Sequence, residues 1–233
     1  MDLSMNGIEV DWRVVVVGGH TRSIGKTQLV CDLIAAMPEA RWIAGKITQY
    51  GHGVCAQNGE DCDCAPDEHI CAISWEQRGD TGTDSSRFLA AGARRAFWLR
   101  TKQGFLAEGM PLLRESLREA ENSVSSSEAG GASRNLILES NTLMQFWKPA
   151  LYVMVVHPGK SDFKESARLR LDRSSAFVLR EALPVKASDI GFGAWSGIPV
   201  QLMRGKANFV QREGEAVPEG LVEMVRGALG WHV

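Results

Sequence analysis

RVVVVGGHTRSIGKT, Arg13–Thr27, is the stretch on which the reading of this chain turns. It begins as an unbroken β-branched run closed by Gly18 and Gly19, the pattern of a strand buried on both faces. Beyond Gly25-Lys26-Thr27, Leu29, Val30, Leu33, Ile34 and Met37 recur at helical spacing until Pro38 stops the helix. A strand, a glycine-bearing turn and a helix in that order bring backbone N–H groups around a common point and add the favourable end of a helix dipole, so the turn suits phosphate oxygens. The Lys26 ammonium would reach β and γ phosphates, and the Thr27 hydroxyl would ligate a magnesium ion shared with them. The expected contacts with magnesium ATP or GTP are therefore Gly19, His20, Thr21, Arg22, Ser23, Ile24, Gly25, Lys26, Thr27 and Gln28.

The spacing departs from the usual phosphate-loop pattern, which has four residues between its first glycine and Gly-Lys. Here five residues separate Gly19 from Gly25, and His20 stands where a strict match has glycine. Ile24 precedes Gly-Lys, so the turn has to place a bulky side chain outward or against the core. A glycine turn with a surface lysine is the alternative reading. A dinucleotide-cofactor loop is disfavoured, because G-x-G-x-x-G and its acidic residue after the second strand are missing.

Outward from this stretch, RWIAGKIT (Arg41–Thr48), HICAISWEQ (His69–Gln77), RAFWLRT (Arg95–Thr101), NLILES (Asn135–Ser140), ALYVMVV (Ala150–Val156) and SAFVL (Ser175–Leu179) read as strands. IPVQL (Ile198–Leu202) reads as a short edge strand. Helices are expected over Asp84–Ala93, from Pro111 onward, after the capping-box pair Asp162 and Glu165 to about Leu171, and over Val217–Leu229. Ser123–Ser133 carries too little to bury and reads as a mobile surface connection. Strands alternating with helices imply an α/β fold, a three-layer phosphate-loop domain with a mostly parallel sheet.

The 233 residues, 44% hydrophobic and 23% charged, suffice for one such core, spanning the whole chain with a loop or small insertion at 49–71. A formal net charge of -2 gives no general attraction to nucleic acid or an anionic membrane. The local clusters Arg94, Arg95, Arg100, Lys102 and Arg168, Arg170, Arg173 read first as solvated faces. No secretory or membrane segment is evident, so a cytoplasmic location is expected. In that compartment the five cysteines would be thiols or ligands.

Further along, Lys46 ends the second strand and TDSSRFLAAGA (Thr83–Ala93) follows. With Ile24-Gly25-Lys26-Thr27, these segments resemble the phosphate-loop branch that contains the molybdopterin-guanine dinucleotide biosynthesis adaptor and dethiobiotin synthetase. The resemblance covers roughly Val14–Val156. It implies that Lys46 contacts phosphate or substrate, that Asp84 and Glu139 join Thr27 around magnesium, and that a homodimer forms. Ser140 stands where the family has glycine. Independently, Asp84 and Glu139 are carboxylates near element ends on a parallel sheet, where ligands collect. Their alternatives are a helix cap for Asp84 and a cap or ion pair for Glu139. Arg87 and, within the loop, Arg22 are further candidates, the latter for charge on the γ phosphate. GKSD (Gly159–Asp162) and VKASD (Val185–Asp189) only partly match a guanine-reading [NT]KxD, and Asp162 is as well explained as a helix cap.

Cys55, Cys62, Cys64 and Cys71, spaced by seven, two and seven with His52 and His69 nearby, could hold zinc or an iron–sulfur cluster or remain free thiols. Cys31 reads as core. The function expected from these parts is slow magnesium-dependent hydrolysis of a nucleoside triphosphate in support of cofactor or metal-centre assembly, with catalytic Lys26, Glu139, Asp84 and Arg22 and an unidentified small-molecule or protein partner. A small-molecule kinase or ligase is the enzymatic alternative, and a non-catalytic nucleotide-sensing module is the other.

Overall fold

The computed structural model describes residues 12–51, 70–125, 134–181 and 200–231. In chain order the elements are β1 (Arg13–Gly19), α1 (Lys26–Ala36), β2 (Ile43–Tyr50), β3 (Cys71–Trp75), α2 (Asp84–Ala90), β4 (Arg95–Lys102), α3 (Leu106–Ser125), β5 (Asn135–Glu139), β6 (Leu151–Val156), α4 (Glu165–Arg168), β7 (Ala176–Leu179), α5 (Val200–Arg204), β8 (Ala207–Val210) and α6 (Glu219–Ala228).

The strands form one sheet in the order β3-β4-β2-β5-β1-β6-β7-β8. All pairings are parallel except β3 against β4. The β-branched run of β1 therefore lies inside the sheet between β5 and β6, and its residues Val14–Gly19 are all buried. Alternation then assigns its side chains to two cores. Val14 and Val16 join Leu136, Leu138 and Leu99 under Leu106, Met110, Leu113 and Leu117 of α3. Val15 and Val17 join Ile137 and Val153 under Leu29 and Leu33 of α1, Phe88 of α2, and Leu221 and Val225 of α6. Each such fully buried aliphatic side chain contributes about 1.5–3 kcal/mol before chain entropy is counted. The result is a three-layer α/β architecture with the carboxyl ends of the parallel strands gathered along one edge.

Several expectations change. Val200–Arg204 is a helix, so Val200–Leu202 of the expected edge strand Ile198–Leu202 is helical, its first two residues lying outside the described ones; the edge is β8, with alternating half-buried and exposed residues. A short apolar run does not distinguish the two states by period alone, and Met203 is buried from the helix. Helix α3 begins at Leu106 and holds Pro111 inside it. Leu106, Met110, Leu113 and Leu117 make one buried stripe, and that burial outweighs the backbone bond that an exposed proline gives up. Ser123–Ser125 close α3, and the rest of the expected connection lies outside the described residues. Helix α4 ends at Arg168, and its N-cap is Lys164 with no side-chain bond, so Asp162 and Glu165 form no capping box. No helix among the described residues is long and apolar enough to cross a membrane.

Candidate functional site

The loop from Gly19 to Thr27 leaves β1 at the carboxyl edge of the sheet, where open α/β folds collect ligands. Gly19 is held on both its backbone groups by Asn141: its N–H donates to Oδ1 at 2.8 Å and its carbonyl accepts from Nδ2 at 2.9 Å. A Cβ there would stand 2.7 Å from both Ile24 Cδ1 and Lys26 Cδ, so any side chain at this position would displace Ile24 or the Lys26 stem. Ile24 is buried in the core beneath α1, which answers where its bulk goes. Ser23 and Gly25 have positive φ, 49° and 85°.

The carbonyls of the loop are occupied one after another. His20 accepts from the Lys164 N–H at 2.8 Å, Thr21 from Lys26 Nζ at 2.9 Å, and Ser23 from Lys160 Nζ at 2.8 Å. Arg180 donates through Nε to Ile24 at 3.2 Å and through Nη2 to Gly25, while its Nη1 reaches Gln211 Oε1 at 2.8 Å. By contrast, none of the N–H groups of Thr21–Gly25 has an acceptor among the described residues. Amides without an internal acceptor, ahead of the N-terminus of an eleven-residue helix, are groups that could serve an anion.

Two further loop side chains point into the protein. His20 is fully buried, its Nε2 3.1 Å from the Lys160 carbonyl and its ring 5.3 Å from that of Phe163. Burial holds its imidazole below the usual range. The Thr21 hydroxyl donates to Asp162. Lys160 and Asp162 of the GKSD segment thus both serve the loop, and neither caps a helix.

At the other end of the loop, the Thr27 hydroxyl donates to Glu139 Oε2 at 2.7 Å. Glu139 ends β5, in register with Val17 on one side and Lys46 on the other. The Lys46 ammonium lies 3.7 Å from Glu139 Oε1 and pairs with Asp84. Thr83, not Asp84, caps α2 by accepting the Ser86 N–H, which leaves the Asp84 carboxylate free to face the site. Burial raises that carboxyl's pKa, but hydrogen bonding and charge from Lys46, with Thr27 and Arg87, bring it below the usual range. Arg87 stands 3.8 Å from Asp84 and donates to Gln28 at 2.7 Å. Desolvation lowers the Lys26 pKa; Glu139 opposes the shift, while Lys164 and Lys46 add to it.

These residues face a cleft of about 1660 Å³. Of the expected set, Arg22, Ser23, Ile24, Gly25, Lys26, Thr27, Gln28, Lys46, Asp84 and Glu139 all line it. Sequence reasoning missed Asn141, Lys160, Lys164 and Arg180 as parts of the site. Their signal was position: each follows closely on the carboxyl end of β5, β6 or β7. Ser140 uses its hydroxyl to accept from the N–H groups of Thr142 and Leu143, turning the chain away after Glu139.

Cys71 opens β3, and burial pushes its thiol up. Cys55, Cys62, Cys64, His52 and His69 lie outside the described residues, as does VKASD. Among the described residues, no group of three or more His, Cys, Asp and Glu side chains is placed to hold a metal ion. Cys31 is buried in α1, as expected of a core thiol. No protein-family model matches the chain, and no curated protein matches it.

Proposed function

We propose that the chain binds a magnesium nucleoside triphosphate, as a member of the phosphate-loop branch its sequence resembles, and hydrolyses it slowly in support of cofactor or metal-centre assembly. The observation that carries this reading is the loop in which the carbonyls of Thr21, Ser23, Ile24 and Gly25 are occupied and the amides of Thr21–Gly25 are left open.

Lys26 would exchange its contact with the Thr21 carbonyl for phosphate oxygens, gaining a charge-assisted bond in place of a neutral one. Thr27, Glu139 and Asp84 offer hard oxygen donors of the kind magnesium takes, and would hold it through these groups or through its water. When bound, the ion would neutralise charge developing on the transferred phosphoryl group. Glu139 orders the Thr27 hydroxyl, and Lys46 balances Glu139 and Asp84 until nucleotide arrives. A carboxylate held low by an ammonium is a weak general base, so Asp84 positions water rather than removing its proton, consistent with slow turnover.

A phosphoryl-transfer enzyme is the second reading, favoured by one observation. The cleft, at about 1660 Å³, exceeds the roughly 300–1,000 Å³ of an ordinary small-molecule site and leaves room for an acceptor beside a nucleotide.

Titration with ATP and GTP, with and without magnesium, tests the proposal against Lys26→Ala. Tight binding is expected from the natural chain and loss of about tenfold or more from the variant. Equal affinity in both proteins would remove the phosphate-site assignment. Binding without turnover would move the function to a nucleotide-sensing module.

A further inference from the structure

The cations that line the cleft fall into two groups. Lys26, Lys46, Arg87, Lys160, Arg180 and Arg212 each have a hydrogen-bond or ion-pair partner within the protein. Arg22 and Lys164 also line the cleft, yet neither side chain has a partner among the described residues. They come from different parts of the chain, Arg22 from the loop after β1 and Lys164 from the segment after β6. The Lys164 backbone N–H is fixed to the His20 carbonyl at 2.8 Å, and Phe163 beside it packs on His20 at a ring distance of 5.3 Å. The segment is therefore tied directly to the loop.

The Lys164 ammonium senses the Arg22 guanidinium. Burial first, and then the Arg22 guanidinium, lowers the Lys164 pKa, against the pull of Asp162. Asp162 already accepts the Thr21 hydroxyl. Two like charges on one cleft, with Lys164 also in electrostatic reach of Lys26 and Glu139, are relieved by a multiply charged anion between them.

We infer that Lys164, with Arg22, binds the terminal phosphate and makes this site discriminate a nucleoside triphosphate from the diphosphate. The inference rests on the nucleotide reading above and adds to it a specificity-determining residue. Lys26 reaches the β phosphate that both nucleotides share as well as the γ phosphate, whereas Lys164 contacts only the group that hydrolysis removes.

Equilibrium binding of magnesium ATP, ADP, GTP and GDP to the full chain tests this, with Lys164→Gln and Lys164→Arg as variants. A charge-assisted bond to phosphate predicts that Lys164→Gln loses about tenfold or more in triphosphate affinity, with diphosphate affinity changed less than about twofold. Lys164→Arg should restore most of the triphosphate preference. The retained diphosphate affinity guards against a variant that has simply misfolded. An unchanged triphosphate-to-diphosphate ratio in Lys164→Gln, or an equal loss for both nucleotides, overturns the inference while leaving the nucleotide site in place. If the natural chain binds none of the four, the nucleotide reading fails and this inference with it.

Discussion

The Thr27 hydroxyl donates to Glu139 Oε2 at 2.7 Å, joining the first turn of α1 to the end of β5. Topology makes the meeting inevitable. Strand β1 pairs with β5 so that Val17 lies opposite Glu139, and the loop that leaves β1 sets the second residue of α1 over the neighbouring strand end. Glu139 is only 6% exposed and has the Lys46 ammonium at 3.7 Å, so its charge is balanced within the protein. Glu139→Ala would leave the Thr27 hydroxyl without its acceptor and remove one of the two carboxylates at Lys46. Urea denaturation should show a loss of about 1–3 kcal/mol for Glu139→Ala. Glu139→Gln, which keeps an acceptor for Thr27, should lose less than half of that, yet abolish magnesium-dependent turnover as fully as alanine does. Equal stability for the two variants would mean that the hydrogen bond to Thr27 carries no weight in the fold.

Arg180 is the second test of how the loop is held. Its guanidinium takes the carbonyls of Ile24 and Gly25 and reaches Gln211, so one planar group ties the loop to the turn after β8. A lysine has the charge without the fork. Arg180→Lys and Arg180→Ala should therefore both lower the unfolding free energy, by about 1–3 kcal/mol, and both should weaken nucleotide binding. Full recovery by lysine would assign Arg180 a purely electrostatic role.

The parts of this site that were legible from sequence are those whose chemistry is local. The strand, the glycines and Lys26-Thr27 sit within one stretch, and the buried β-branched run left β1 no position other than the sheet interior. Glu139 and Asp84 were legible because carboxylates at the ends of apolar elements need a partner, and both found Lys46. Arg180, Lys160 and Asn141 were not, because their roles exist only after β1, β5, β6 and β7 align. A surface arginine and one that grips two loop carbonyls have the same local sequence signature. Pro111 misled for a related reason: its preference for a helix start was overridden by tertiary burial of the stripe from Leu106.

Acid sensitivity should follow His20. Burial places its folded pKa below the ordinary 6.5, to which the unfolded chain returns. Above pH 6.5 the imidazole is neutral in both states and carries no penalty. As pH falls below that value the unfolded chain binds a proton that the folded one refuses, and stability is lost until the folded pKa is passed. The depressed Asp84 carboxyl works in the same direction but only as pH falls below its ordinary 3.8, toward its lower folded value. The interval from about pH 7 to about pH 5 brackets the histidine's ordinary 6.5 and stays about one unit above the aspartate's ordinary 3.8, so there the two are separated. His20→Gln, which keeps a donor for the Lys160 carbonyl, should flatten the decline in unfolding free energy over that interval. An unaltered slope would show that the buried imidazole is not its source.

Two glycines with almost the same φ provide the last test. Gly25 and Gly82 have φ of 85° and 80°, and an alanine at either pays a left-handed penalty of about 1–2 kcal/mol. Their surroundings differ. Nothing lies within 4 Å of a Cβ placed on Gly82, whereas one on Gly25 would meet the Arg180 guanidinium, with Nε at 2.7 Å and Nη2 at 2.8 Å. Gly82→Ala should therefore cost the backbone term alone, and Gly25→Ala should cost that term plus displacement of Arg180 from the Ile24 and Gly25 carbonyls. The second part is shared with Arg180→Ala, so the double variant Gly25→Ala/Arg180→Ala should lose less stability than its two single variants added together. Urea midpoints of Gly82→Ala, Gly25→Ala, Arg180→Ala and the double variant, each against the natural chain, give the comparison directly. Strict additivity at Gly25 and Arg180, with equal costs at Gly25 and Gly82, would mean that the guanidinium does not rest against the turn and that the loop is held open by its backbone alone.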